Sequence, residues 1–255
     1  MKSRFGKTLA VLIAACVVSV GSAAWLGYSG NYAIYTAATA KKLLPIYRVD
    51  RADNKISVSF DCAWGTEYTD KILEILDEYE VKATFFAVEF WAEKDPDYCK
   101  KIVAAGHSVQ THSKTHPHMS KLSKGEIKAE LASSKAVIEK ITGEKVTLFR
   151  PPFGDYNDKV IAAAEEEGLY SVQWDVDSLD WKNLSAKEIA ARVISRAKSG
   201  SIILMHNNGL HTAESLPLVF APLKAQGYEF VGIEDLIYKG GYEILRDGTQ
   251  REIKS

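Results

Sequence analysis

The chain has 255 residues, 46% hydrophobic and 10% aromatic, enough to bury a real core in one large domain or two small ones. Its 32 basic against 33 acidic residues leave a net charge of -1 with no long single-sign block, which argues against a nucleic-acid footprint. Only Cys62 and Cys99 of its three cysteines fall in the globular part, which excludes a disulfide framework.

In chain order, Lys2, Arg4 and Lys7 precede Thr8 to Gly27, which is apolar or small at every position. Such a stretch makes about 30 Å of helix, just enough to cross a bilayer with its basic flank on the cytoplasmic side. Residues 1–30 therefore read as a signal-anchor tethering an extracytoplasmic domain to the membrane. Cleavage near Gly21-Ser22-Ala23 is the alternative and would give a secreted protein. Cys16 reads as a small apolar residue of that helix. Residues 31–53 read as a tether, because they lack a clear period and Lys41-Lys42 and Pro45 interrupt them.

From Asn54, β-rich runs alternate with segments of helical period. Ile56–Phe60 is followed by a helix over Thr69–Tyr79, Ala83–Val88 by one ending near Ala105, and Ser108–Gln110 by one over Lys124–Thr142. Val146–Phe149 then precedes Asp158–Glu167, Tyr170–Gln173 precedes Ala186–Lys198, Ser201–Met205 precedes Glu214–Ala225, and Glu229–Val231 closes the series. The alternation predicts an α/β fold with a mainly parallel sheet, and about seven repeats predict a barrel. The domain is expected over 54–238, with 239–255 a tail in which Asp247-Gly248 marks a hairpin tip.

A parallel α/β fold gathers its site at the carboxyl ends of its strands. Asp61, "THSKTH", Arg150, Asp175 with Asp177, and His206 each follow a predicted strand. His112 and His116, four apart, can hold one divalent metal, or can form a solvated polar turn. Arg150 leaves its strand before two prolines, where a guanidinium can orient a carboxylate or make a structural ion pair. A carboxylate of "DSLDW" can hold His206 protonated as a general acid; alternatively Asp177 and Asp180 cap the next helix.

Taken in order, "SFDCAWG", "HSKTH", "RPPFG", "DSLDW" and "ILMH" resemble the five motifs of the polysaccharide deacetylases, the nodulation-deacetylase-like domain of carbohydrate esterase family 4. The likeness spans Ile56 to Ile237, and its Ala-Trp-Gly is most similar to the sporulation-associated branch. The resemblance implies a distorted (β/α)7-8 barrel and a metal-dependent N-deacetylase of a peptidoglycan-type or chitin-like glycan, using Zn²⁺ or another divalent metal such as Co²⁺. It makes Asp61 the base, His206 the acid, Arg150 the residue that orients Asp61, and Asp177 the carboxylate that tunes His206. His112 and His116 become metal ligands, and the backbone amide near Phe153 helps hold the oxyanion.

Where the family has a second Asp as third metal ligand, this chain has Cys62. Two readings stand: a thiolate ligand replacing the carboxylate, or a small buried filler at a position freed from the metal, which leaves a weakened glycan-binding or sporulation protein on a deacetylase scaffold. Glu67 is a more distant ligand candidate. Trp64, Phe153 and Trp181 are expected to line a sugar-binding groove, and Trp174 to pack in the core.

Overall fold

The computed structural model describes residues 42–253. Its frame is set by β2 (Lys55–Cys62), whose side chains alternate between two faces as a strand requires. Ile56, Val58, Phe60 and Cys62 pack in a core shared with the surrounding helices. The alternate set is polar: the Ser57 and Ser59 hydroxyls donate to the carbonyls of Val231 and Ile203, and Asp61 ends the series.

On one side of β2 follow β3 (Ala83–Ala87), β4 (Ser108–Thr111), β5 (Leu148–Phe149) and β6 (Tyr170–Ser171); on the other, β8 (Ile202–His206) and then β7 (Val176–Asp177). Every pair is parallel, and β9 (Glu229–Phe230) pairs with the start of β2. The helices α1 (Thr69–Glu78), α2 (Glu89–Lys94), α3 (Pro96–Ala104), α4 (Lys124–Thr142), α5 (Asp158–Glu166), α6 (Ala186–Ile194) and α7 (Thr212–Ala225) connect the strands. Local chemistry fixes their ends. Ser123 and Glu126 form a capping box on α4, which stops at Gly143 with φ +75°. The single helix expected before Ala105 is split by Pro96, which cannot continue α2 but suits the first turn of α3.

The sheet is curled, but the closed barrel expected from the repeat count is not formed. The edge strands β6 and β7 share no ladder, because no helix separates them. Gln173, Trp174 and Asp175 join them directly, so one bent stretch pairs first with β5 and then with β8. The result is a half-barrel.

The expected anchor at 1–30 lies outside the described residues, among which no helix is long and apolar enough to cross a membrane. The expected tether is corrected in part, since the compact unit begins at Leu43. Ile46 and Val49 are buried there for a physical reason: they fill the curl of the sheet with Phe86, Leu148, Val172 and Ile202. Each apolar side chain so buried contributes roughly 1.5–3 kcal/mol. β1 (Arg48–Val49) then pairs with β11 (Thr249–Glu252), which forms an antiparallel hairpin with β10 (Tyr242–Ile244) around the turn containing Asp247-Gly248. Gly200 permits the close approach, since a Cβ there would lie 1.7 Å from the Val49 carbonyl oxygen. Apolar side chains and α8 (Ile233–Leu236) thus plug the curl, leaving polar groups at the carboxyl ends of the strands.

Candidate active site

Because the strands run parallel, Asp61, His112, Arg150, Asp177 and His206 arrive at the same end of the sheet. A cleft of about 740 Å³ opens there, lined among others by Asp61, His112, His116, Asp177 and His206. Trp64, Phe153 and Trp181 also line it and are each more than half exposed, as a groove for sugar rings requires. Trp174, expected in the core, is half-buried and lines the cleft too.

Arg150 is completely buried, which its bonding explains. It donates to Asp61 Oδ1 at 2.8 Å, to the Ser59 hydroxyl at 2.9 Å and to the Gln173 carbonyl at 3.2 Å, and its guanidinium lies 4.1 Å from the centre of the Phe86 ring. Burial alone would raise the pKa of Asp61; the charges of Arg150, His112 and His206 outweigh it and hold the carboxyl below its ordinary range. Asp61 is therefore a carboxylate with one oxygen committed to Arg150.

The second pair differs from expectation. Asp180 Oδ1, not Asp177, lies 2.8 Å from His206 Nδ1, and Asp180 Oδ2 accepts from the His206 backbone N–H at 2.7 Å and the Thr212 hydroxyl at 2.6 Å. Asp177 is turned to its own loop, where it accepts from the Leu179 N–H at 2.9 Å. The chain reverses through Leu179 in a left-handed conformation, which carries the second aspartate of "DSLDW" back beneath the imidazole. Burial opposes charge on His206, but the bond and charge of Asp180 prevail and raise its pKa. Its Nε2 is left facing the cleft.

His112 Nδ1 donates to the Arg150 carbonyl at 2.8 Å, since a carbonyl can only accept, and so its Nε2 carries the lone pair, 3.4 Å from Asp61 Oδ2. Burial lowers the pKa of both histidines, that of His116 to about 4. Two neutral imidazoles are thus available as donors. The third donor is missing. Cys62 lies on the other face of β2 from Asp61, fully buried among apolar side chains, its thiol raised well above its ordinary range by burial and by the neighbouring Asp61. No group of three His, Cys, Asp or Glu that could hold a metal ion assembles among the described residues, Glu67 included. The residues do not fit a full metal site, because the side chain at the position of the family's second Asp is a thiol packed in the apolar core.

Left-handed backbone at non-glycine residues concentrates around the cleft. Ser113, His116, Phe153, Leu179 and Asn183 all adopt it in the segments following β4, β5 and β7, at a cost of roughly 1–3 kcal/mol each. Phe153 is fixed by contact with the rings of His116 and His118 at 4.5 and 4.6 Å. Asn207, unremarked in the sequence, is buried next to His206; its amide bonds the Gly65 carbonyl at 2.8 Å, as does the Trp91 indole N–H, and together they pin the loop that carries Trp64. Its only sequence signal was its position beside His206.

The polysaccharide deacetylase family profile matches residues 48–172. The peptidoglycan-N-acetylglucosamine deacetylase PgdA of Listeria monocytogenes is 36% identical over 73% of this chain, which spans 39% of that protein; of another curated relative the chain spans 60%. A peptidoglycan-N-acetylglucosamine deacetylase of Bacillus cereus is 33% identical over 75% of this chain and 92% of its own length. Among solved structures, wild-type BA3943 of Bacillus anthracis, described as a pseudoenzyme of carbohydrate esterase family 4, superposes with a TM-score of 0.73 at 38% identity over 75% of this chain and 68% of its own; a mutant of it is described as having restored activity. With its motif residues gathered in one cleft and a relative matched over nearly its whole length, the chain belongs to the polysaccharide deacetylase family.

Proposed function

We propose that the domain is an N-deacetylase of a peptidoglycan-type glycan whose acid–base apparatus is intact and whose metal ligation is reduced to two histidines. The observation that carries this reading is the pair of carboxylate-anchored groups at one cleft: Asp61 bound to Arg150, and His206 bound to Asp180. In this reading Asp61 takes the proton from a water attacking the acetyl carbon, and Arg150 holds its carboxylate charged and oriented. His206, kept protonated by Asp180, gives its proton to the departing sugar nitrogen. Trp64, Phe153 and Trp181 stack on the sugar rings, and the Phe153 amide meets the developing oxyanion. In the family a Zn²⁺ or Co²⁺ ion supplies Lewis-acid activation, and here His112 and His116 would be its protein ligands. The segment at 1–30 would tether the domain outside the cytoplasm.

The burial of Cys62 on the far face of β2 favours a second reading, a glycan binder with lost catalysis, and likeness to a pseudoenzyme supports it. Acetate release from N-acetylated chitin oligomers and from peptidoglycan, with Zn²⁺ or Co²⁺ in excess, separates the two. Release that depends on added metal supports the deacetylase; glycan binding without release under any metal supports the binder.

A further inference from the structure

Among the described residues Asp177 is the one cleft carboxylate with no cation in hydrogen-bond or ion-pair contact; its charge acts on His206 only through space. Asp61 is neutralised by Arg150, and Asp180, beneath the cleft, by His206. Among the described residues the Asp177 carboxylate accepts only the Leu179 N–H and pairs with no lysine or arginine. The nearby cations are directed elsewhere: Arg192 Nε donates to the main-chain carbonyl of Asp177 at 2.6 Å, and Lys182 lies over the Trp181 ring at 4.9 Å. Among the described residues no lysine or arginine lines the cleft, whose lining includes Asp177, the Trp174 and Trp181 rings, Asn183 and Asn208. A half-buried carboxylate in a cleft lined by aromatic and amide side chains is suited to a compact ammonium group, which gains a charge-assisted hydrogen bond there.

We infer that Asp177 anchors the protonated amine of a sugar next to the one being processed, so that the cleft prefers glycan that has already lost acetyl groups. This rests on the reading of the cleft as a glycan site. It gives Asp177 a part in choosing the ligand beyond its through-space charge on His206, and it would make deacetylation favour its own continuation along a chain.

The test is binding, which needs no catalytic turnover. The full chain, in chelator-treated buffer at mildly acidic pH and low salt, is titrated with glucosamine tetramer and with N-acetylglucosamine tetramer. The free-amine tetramer is expected to bind about fivefold more tightly, an advantage that shrinks as salt is raised. Asp177→Asn keeps an acceptor for the Leu179 N–H and should bring the ratio to about one, whereas Asp177→Glu, which keeps the charge, should retain a preference. Equal or tighter binding of the acetylated tetramer by the wild type overturns the inference alone, as does a preference that survives Asp177→Asn. Failure of both tetramers to bind overturns the glycan reading with it.

Discussion

Asp180 holds His206 at two points, its Oδ1 2.8 Å from the ring Nδ1 and its Oδ2 2.7 Å from the backbone N–H, with the Thr212 hydroxyl closing the arrangement at 2.6 Å. One buried carboxylate thereby fixes both the orientation and the charge of the imidazole. Asp180→Asn should lower the pKa of His206 and shift the basic limb of the pH–rate profile to lower pH. The linkage follows the same sign. His206 has its pKa raised on folding, so its contribution to stability is complete below its unfolded pKa and is lost as pH rises through the folded value. Imidazole shifts followed by NMR in wild type and variant measure the change directly.

Arg150 and Asp61 are both buried and depend on each other. Arg150→Ala leaves the buried Asp61 carboxylate without its guanidinium and should destabilise the fold by about 3–5 kcal/mol, while replacing both members by apolar residues of similar volume should cost far less. Urea unfolding of the single and double variants checks this: a double variant whose cost equals the sum of the two single costs would mean that the pair is not coupled.

Most of the frame was legible in the sequence. The helix expected over Lys124–Thr142 matches to the residue, and Ser123 with Glu126 at one end and Gly143 at the other fix it chemically. The carboxyl-end placement of Asp61, His112, Arg150 and His206 followed from the strand runs that precede them. Three things were not legible. The burial of Ile46 and Val49 depends on strands that come much later in the chain, so no local period announces it. The choice of Asp180 over Asp177 depends on a left-handed turn at Leu179, a residue type that rarely adopts one. The direction of Cys62 was available in principle from the alternation of β2, but only once the strand was known to continue through residue 62.

If Cys62 is a core residue, Cys62→Ala should cost roughly 1 kcal/mol through a small cavity and leave metal affinity unchanged. Cys62 and Cys99 are both free and buried, and burial pushes the Cys99 thiol up to about 12. Alkylation mapped by peptide mass should therefore find both protected in the native protein and reactive after unfolding. A fall in metal affinity in Cys62→Ala would contradict the assignment.

Burial lowers the pKa of His107 and His116 to about 4 each, and the Nε2 of His107 has no hydrogen-bond partner among the described residues. As pH falls from the ordinary histidine range towards 4, the unfolded chain takes up protons that these rings refuse. Stability should therefore be fully present above that range and decline within this window, and His107→Gln should flatten the decline. The urea midpoint measured at steps across the window reports it.

The most direct test of the account is acetate release by the full chain and by its Asp61→Asn variant on N-acetylated glycan with metal in excess, with glycan binding measured on the same preparations. The account predicts release from the wild type, none from Asp61→Asn, and retained glycan binding in both. Undiminished release from Asp61→Asn would contradict it, and so would a wild type that binds glycan yet releases no acetate with any metal.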